Sequence, residues 1–81
     1  MKFEALVEVR LREGISDPQG ATIERALPAL GFGGISGVRV GKAIRLVVEA
    51  ADSDAALAVA AAVTDRLLAN PVIEEAEVRI L

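Results

Sequence analysis

The sequence contains neither cysteine nor histidine. Without cysteine there are no disulfides, thiolate nucleophiles or thiolate-bound metals, and without histidine the commonest general base and metal ligand is missing. Carboxylates, lysines and a few hydroxyl groups remain for acid-base chemistry. Three neighbouring carboxylates, Glu74, Glu75 and Glu77, have no second type of metal ligand beside them and are interpreted as solvated strand charges. The composition therefore favours a protein that acts by binding.

Aromatic residues and positive charge are also scarce. Both aromatic residues are phenylalanine and the formal net charge is −3, so the chain offers nucleic acid neither a stacking platform nor a basic footprint. The longest apolar run, Ala55 to Val63, is far shorter than the roughly 18 residues of a membrane span. Residues 1–12 alternate charged and apolar side chains, unlike a secretory signal. We expect a cytoplasmic protein that binds neither nucleic acid nor membrane.

Apolar residues, in contrast, are abundant. The 81 residues leave room for one domain, over residues 1–81, and a chain this short buries only about 60% of its unfolded surface on folding. An apolar fraction of 53% is high for so small a domain, so part of the apolar surface must remain outside. We therefore expect self-association as a homodimer or tetramer.

The first half of the chain predicts a strand followed by a helix. Residues 3–11 alternate with the period of a half-buried strand. Asp17, followed by a proline, predicts the start of a helix over 18–30, and Gly31 predicts its end. Pro28 lies inside this helix and removes one of its hydrogen bonds, so we expect a kink or early loosening there.

The middle of the chain predicts a β-hairpin. Residues 35–40 and 44–49 contain several β-branched residues and alternate apolar with other side chains. They flank a three-residue loop at 41–43. The side-chain parity of this register places Arg39 opposite Arg45, on the sheet face away from the helices.

The last third predicts a second helix and a final strand. The helix is expected over 54–69, capped by Asp52 or Ser53 and ended by Asn70-Pro71, and the strand over 72–81. The stripe of this helix that is expected to face the sheet consists of Leu57, Ala60, Ala61, Thr64, Leu67 and Leu68. The order βαββαβ predicts an α+β, two-layer sandwich of the ferredoxin-like type, with an antiparallel four-stranded sheet and both helices on one face.

Five residues are predicted to contact a partner: Gln19, Gly20, Arg39, Lys42 and Arg45. A glycine in the first helical turn costs stability, so we expect either a close approach there or a plain cap with a tolerated glycine. The opposed arginines need acidic neighbours, supplied by Glu4 and Glu8 of the first strand or by an acidic patch or phosphate of a partner. Lys42 would be a third cation, at the tip of the hairpin.

The sheet face away from the helices carries scattered apolar residues. They are expected to be ordinary surface or part of a subunit interface. These residues are Leu6, Val47, Ile73 and Leu81.

Four blocks of this sequence resemble one known family. They are Asp17-Pro18-Gln19-Gly20; Ala26-Leu27 with Leu30-Gly31-Phe32; Val38-Arg39-Val40-Gly41-Lys42; and Leu67-Leu68-Ala69-Asn70-Pro71-Val72-Ile73-Glu74. In their order and spacing the chain resembles the PurS family, the small subunits of phosphoribosylformylglycinamidine synthase, over its whole length.

The resemblance implies a subunit without an active site of its own. It would bridge a PurL-type synthetase, which uses ATP and magnesium, and a PurQ-type glutaminase, and support ammonia transfer between them. Together the subunits would convert formylglycinamide ribonucleotide, glutamine and ATP into the amidine. No cofactor is expected in this chain. The alternative is a regulatory domain of the same architecture that senses a small molecule between paired domains.

Overall fold

The computed structural model describes all residues 1–81. It contains three antiparallel strands and two α-helices, so the α+β class is confirmed. The elements in chain order are β1 (Lys2–Leu11), α1 (Pro18–Ala26), β2 (Gly41–Glu49), α2 (Ser53–Val63) and β3 (Glu74–Ile80). A 3₁₀ turn (Pro28–Leu30) follows α1 and one turn of π-helix (Thr64–Leu68) follows α2. The strand order is β2-β1-β3, so the prediction of a fourth strand is wrong for the single chain.

Strand β1 is the central strand of the sheet, and its buried and exposed side chains alternate along its length. Ala5, Val7 and Val9 are at most 2% exposed and face α2, whereas the residues between them face the opposite side. Both neighbours pair with β1 without a bulge, from Lys2 opposite Glu49 on one side and from Ala5 opposite Ile80 on the other. All three strands thus follow the two-residue period of the sequence.

Helix α2 covers the sheet with small side chains. The Asp52 carboxylate caps it by accepting a hydrogen bond from the Ala55 amide at 2.8 Å, as predicted. Ala56, Ala60 and Thr64 face the sheet, where the first two lie in one cluster with Ala5 and Val48. The predicted stripe is confirmed at Ala60 and Thr64, but two of its three leucines turn outward: Leu57 is 38% and Leu67 78% exposed.

The predicted hairpin does not form. Residues 41–43, expected to be its loop, are the first residues of β2 and pair with Arg10, Val9 and Glu8. The segment 35–40 belongs to no strand, and Gly37 within it has φ of +69°, which interrupts an extended conformation. The chain therefore runs straight from this segment into β2 instead of folding back along it.

Helix α1 ends earlier than its apolar pattern suggests. It stops at Ala26, and Pro28 begins the 3₁₀ turn, which confirms the expected loosening. Gly31 closes the turn in the left-handed region, with φ of +93°, in its predicted role.

The carboxylate of Asp17 joins α1 to the segment that leads into β2. One oxygen accepts a hydrogen bond from the Gly20 amide at 2.9 Å and the other from the Val40 amide at 2.7 Å. These two bonds, with a smaller contribution from Arg39, lower the pKa of Asp17 below its usual value. A second carboxylate, Glu24, accepts a hydrogen bond from the Val38 amide at 2.9 Å. The N-cap and one residue of α1 thus hold alternate amides of this segment.

Helix α1 and the loop after it form an arm beyond the end of the sheet. Only α2 packs extensively on the sheet; α1 has its substantial contacts with the 3₁₀ turn that follows it. The molecule is 52 Å long with a radius of gyration of 16.3 Å, whereas a compact chain of this length has about 12 Å. The expectation of two helices packed on one face is therefore met by α2 alone.

We expect Gly20→Ala to destabilise the fold, although alanine favours helices. Its methyl group would collide with the Val38 carbonyl oxygen and would lie 2.7 Å from an Asp17 carboxylate oxygen, and such overpacking costs about 1–3 kcal/mol. Gly33→Ala is the control, because nothing lies within 4 Å of its added methyl group. Urea unfolding of both variants checks this; equal stability would contradict the close approach at Gly20.

Asp17→Asn is expected to lower the free energy of unfolding in a pH-dependent way. Because folding lowers the pKa of Asp17 from 3.8, its stabilising effect is complete above that value and is lost as the pH falls through the folded-state pKa. The difference in urea midpoint between wild type and variant should therefore narrow on acidification from neutral pH to about pH 2.5. A difference independent of pH would show that the charge does not contribute.

Candidate interaction surface

The acidic side chains do not form a metal-binding cluster. No three of them lie close enough together to hold a metal ion, and every buried side-chain nitrogen or oxygen has a hydrogen-bond partner. Neither helix is long and apolar enough to span a bilayer. The surfaces, rather than a central pocket, are therefore where the function of this chain is to be sought.

The sheet face opposite α2 carries several exposed ion pairs. Arg10 contacts Glu75 at 3.1 Å, and the hydrogen bond and charge of Glu75 raise the pKa of Arg10 further above its usual value. Arg79 contacts Glu8 at 2.8 Å. Exposed pairs of this kind are screened by water and contribute little to stability. This face is therefore polar and accessible to solvent. Leu6 and Val47 lie on this face, whereas Ile73 and Leu81 lie outside the paired strands.

Arg39 and Arg45 are not opposed, because the strand that would have paired them is absent. Arg45 lies opposite Leu6 in the ladder and contacts Glu4 at 2.6 Å, the intramolecular neighbour that the sequence offered. The Arg39 guanidinium instead donates to backbone carbonyl oxygens of the loop after β1, including that of Ile15 at 3.0 Å. The prediction of an opposed pair is wrong, and each arginine has its own partner.

Gln19 and Lys42 are brought together by the structure. Both line an open cleft of about 370 Å³ between the start of α1 and the end of the sheet, whose walls include Val9, Leu11 and Val40. Lys42 has no ion-pair partner within 4 Å, unlike Arg45. The cleft therefore presents one free cation beside an amide side chain.

Gly20, the remaining predicted contact, is buried. The group that approaches it is the carbonyl of Val38 from the same chain. The group close to Gly20 thus belongs to the same chain, and a contact between Gly20 and a partner stays a prediction.

The arm carries an apolar surface that sequence reasoning missed. Ile23 and Leu30 were predicted in helix one and Ile35 in a strand of the hairpin, but the apolar side chains of the arm are between 46% and 69% exposed. The sequence feature that could have indicated this surface is the helix break at Pro28, followed by a glycine-rich loop. Together they separate the arm from the sheet. The exposed apolar residues of the arm are Ile23, Leu30, Phe32 and Ile35.

Comparison with known proteins gives a consistent result over the whole chain. The family model described as "PurS: Phosphoribosylformylglycinamidine (FGAM) synthase" matches residues 4–81. The phosphoribosylformylglycinamidine synthase subunit PurS of Mycobacterium leprae is 48% identical over 71 residues, which are 88% of this chain and 86% of the relative.

Solved structures agree with the sequence comparison. The crystal structure of the PurS subunit of phosphoribosylformylglycinamidine synthase from Thermotoga maritima matches with a TM-score of 0.91 and 39% identity, covering 100% of this chain and 93% of the other. The structure of PurLQS from the same organism contains a chain that matches with a TM-score of 0.91 and 38% identity, covering 100% and 99%. The chain therefore belongs to the PurS family of phosphoribosylformylglycinamidine synthase.

Proposed function

We propose that this chain is the small, non-catalytic subunit of a phosphoribosylformylglycinamidine synthase complex. It bridges a PurL-type synthetase and a PurQ-type glutaminase and supports ammonia transfer between them in purine biosynthesis. The observation that carries the proposal is the match over the whole chain to a chain of PurLQS from Thermotoga maritima. The synthetase uses ATP and magnesium, this chain holds no cofactor, and the complex acts in the cytoplasm.

Self-association is part of this proposal. The accessible surface of the chain is 5685 Å², whereas a compact monomer of 8.4 kDa exposes about 4,600 Å². The excess of about 1,000 Å² is close to the roughly 800 Å² that each partner buries in a stable interface. The exposed arm, Leu57 of α2 and Leu67 of the π turn are among the apolar parts of this surface. A homodimer or tetramer would cover it.

The cleft at Gln19 and Lys42 is the surface that we assign to a partner subunit. An unpaired ammonium group is free to meet a carboxylate or phosphate of the partner without breaking a contact of its own. Arg39 and Arg45 are less suited to this role, since both are held by groups of the same chain.

We expect reconstitution to require this chain. Glutamine-dependent amidine formation by the synthetase and glutaminase subunits should fall at least about tenfold when the chain is omitted, because ammonia would have to diffuse between separate proteins. Activity with ammonium salt in place of glutamine should fall much less, which separates loss of assembly from loss of the synthetase itself. Equal glutamine-dependent rates with and without the chain would refute the proposal.

Lys42→Glu is expected to weaken binding of the chain to the two large subunits by about tenfold, because the variant removes one interfacial charge and introduces repulsion. Lys2→Glu is the matched control at the opposite end of the β1–β2 ladder, where Lys2 lies opposite Glu49. Calorimetry of each variant with the partner subunits gives the affinities, and sedimentation checks that the oligomeric state is unchanged. Equal affinities would remove Lys42 from the interface.

A further inference from the structure

The turn that leads into β3 carries the two most exposed large apolar side chains of the chain. Val72 is 79% and Leu67 78% exposed, and they flank the residues between the π turn and β3. Single apolar residues on a surface are common and carry no meaning by themselves. The backbone that holds these two decides whether they form a binding surface. We refer to residues 67–73 as the anchor turn.

The anchor turn is held by its own polar groups. The side-chain oxygen of Asn70 accepts a hydrogen bond from the Val72 amide at 3.1 Å, and its carbonyl oxygen accepts from the amides of Ile73 at 3.1 Å and Glu74 at 2.7 Å. The Glu74 carboxylate in turn accepts from the Asn70 amide at 2.7 Å, and the ring of Pro71 fixes its own φ. The turn therefore keeps its shape without help from its apolar side chains.

Arg12 ties the anchor turn to the sheet. Its guanidinium donates to the Pro71 carbonyl oxygen at 3.1 Å and its amide to the Ile73 carbonyl oxygen at 2.8 Å. Every amide between residues 70 and 74 is thus occupied within the chain. A partner can recognise the turn by its side chains but cannot accept hydrogen bonds from its backbone. Because the turn is already ordered, little conformational entropy is lost when those side chains are bound.

The anchor turn is continuous with the cleft that contains Lys42. A second cleft of about 330 Å³ lies between the π turn and β3, and its walls include Pro71 and Glu74. Glu74 also lines the Lys42 cleft. The two clefts meet where β1 ends, since Val9 lies opposite Lys42 and Leu11 lies opposite Glu74. The turn and the Lys42 cleft therefore belong to one end of the sheet.

Charged residues border the apolar side chains of the turn. Asp65 and Arg66 immediately precede Leu67 and are exposed. Neither has an ion-pair partner within 4 Å. An apolar centre with a polar rim is the usual arrangement of a protein–protein interface.

We propose that Leu67 and Val72 are apolar anchors that enter a socket on the same large subunit that meets Lys42. The turn and the Lys42 cleft then form a single interface. The socket has an apolar floor for the two anchors and an anionic group at its border, opposite Lys42. The inference rests on the proposed function and adds to it the residues that bind by apolar contact and the extent of the interface.

The first test replaces each anchor by serine. Val72→Ser and Leu67→Ser should each raise the dissociation constant for one large subunit by about tenfold or more, because an apolar side chain no longer leaves water on binding. The affected subunit should be the one whose binding is weakened by Lys42→Glu, and the affinity for the other should be unchanged. Calorimetry of the full chain with each large subunit separately measures this.

Val47→Ser is the matched control for the anchors. Val47 is 65% exposed, but it lies on the sheet face opposite α2. The same chemical change there should leave the affinity for both large subunits unaltered. Circular dichroism shows whether each variant is folded, which is expected because the replaced side chains are exposed.

A second test keeps both anchors and loosens the turn. Asn70→Ala removes the bond from the Val72 amide to the Asn70 side chain, so this amide should exchange its hydrogen faster in the free chain. The dissociation constant for the same large subunit should rise by about threefold or more, because the turn must then be ordered on binding. Equal affinity despite faster exchange would contradict the role of a preformed turn.

Wild-type affinity of both serine variants for both large subunits would overturn the inference. Weaker binding only to the subunit that is indifferent to Lys42→Glu would also overturn it, because the turn and the cleft would then belong to different interfaces. So would a loss of self-association on sedimentation with unchanged affinity for the large subunits. Failure of the proposed function is a separate result, since the wild-type chain would then bind neither large subunit.

Discussion

The carboxylate of Asp17 is the contact on which the shape of this molecule depends. It binds the amides of Gly20 and Val40 at once, and so it fixes the start of α1 against the residue that enters β2. Val40 is held there, and the chain continues directly into β2 at Gly41. This geometry accompanies the three-stranded sheet, the projecting arm and the excess of accessible surface. The half-buried carboxylate of Asp17 thus holds together two segments that are far apart in the sequence.

The elements that could be predicted from the sequence are those set by local rules. The strand over 3–11, the caps at Asp17 and Asp52 and the loosening at Pro28 depend on residues close together in the chain, and the structure has all of them. The hairpin failed because β-branched alternation specifies an extended conformation but not the strand with which it pairs. Gly37 and the hydrogen bonds from α1 determine that choice, and the second of these joins residues far apart in sequence.

The candidate site was predicted in the same uneven way. Lys42 and Gln19 were selected from the sequence and do share a cleft, because both flank segments that meet at Asp17. Arg39 and Arg45 were selected through a register that does not exist, so their environments differ from the expectation. The apolar arm was missed, since helical periodicity shows that one face is apolar but not whether that face meets the chain's own sheet.

The alanine interface between α2 and the sheet has a consequence for the life of the protein in the cell. Ala5, Ala56 and Ala60 are fully buried, yet each contributes only one methyl group, so the hydrophobic free energy of this core is small compared with one of leucine or phenylalanine. A newly made copy without bound partners is expected to unfold transiently more often, and the unfolded form is the one that proteases degrade. Binding to the molecules that cover its surface is therefore expected to protect the subunit from proteolysis.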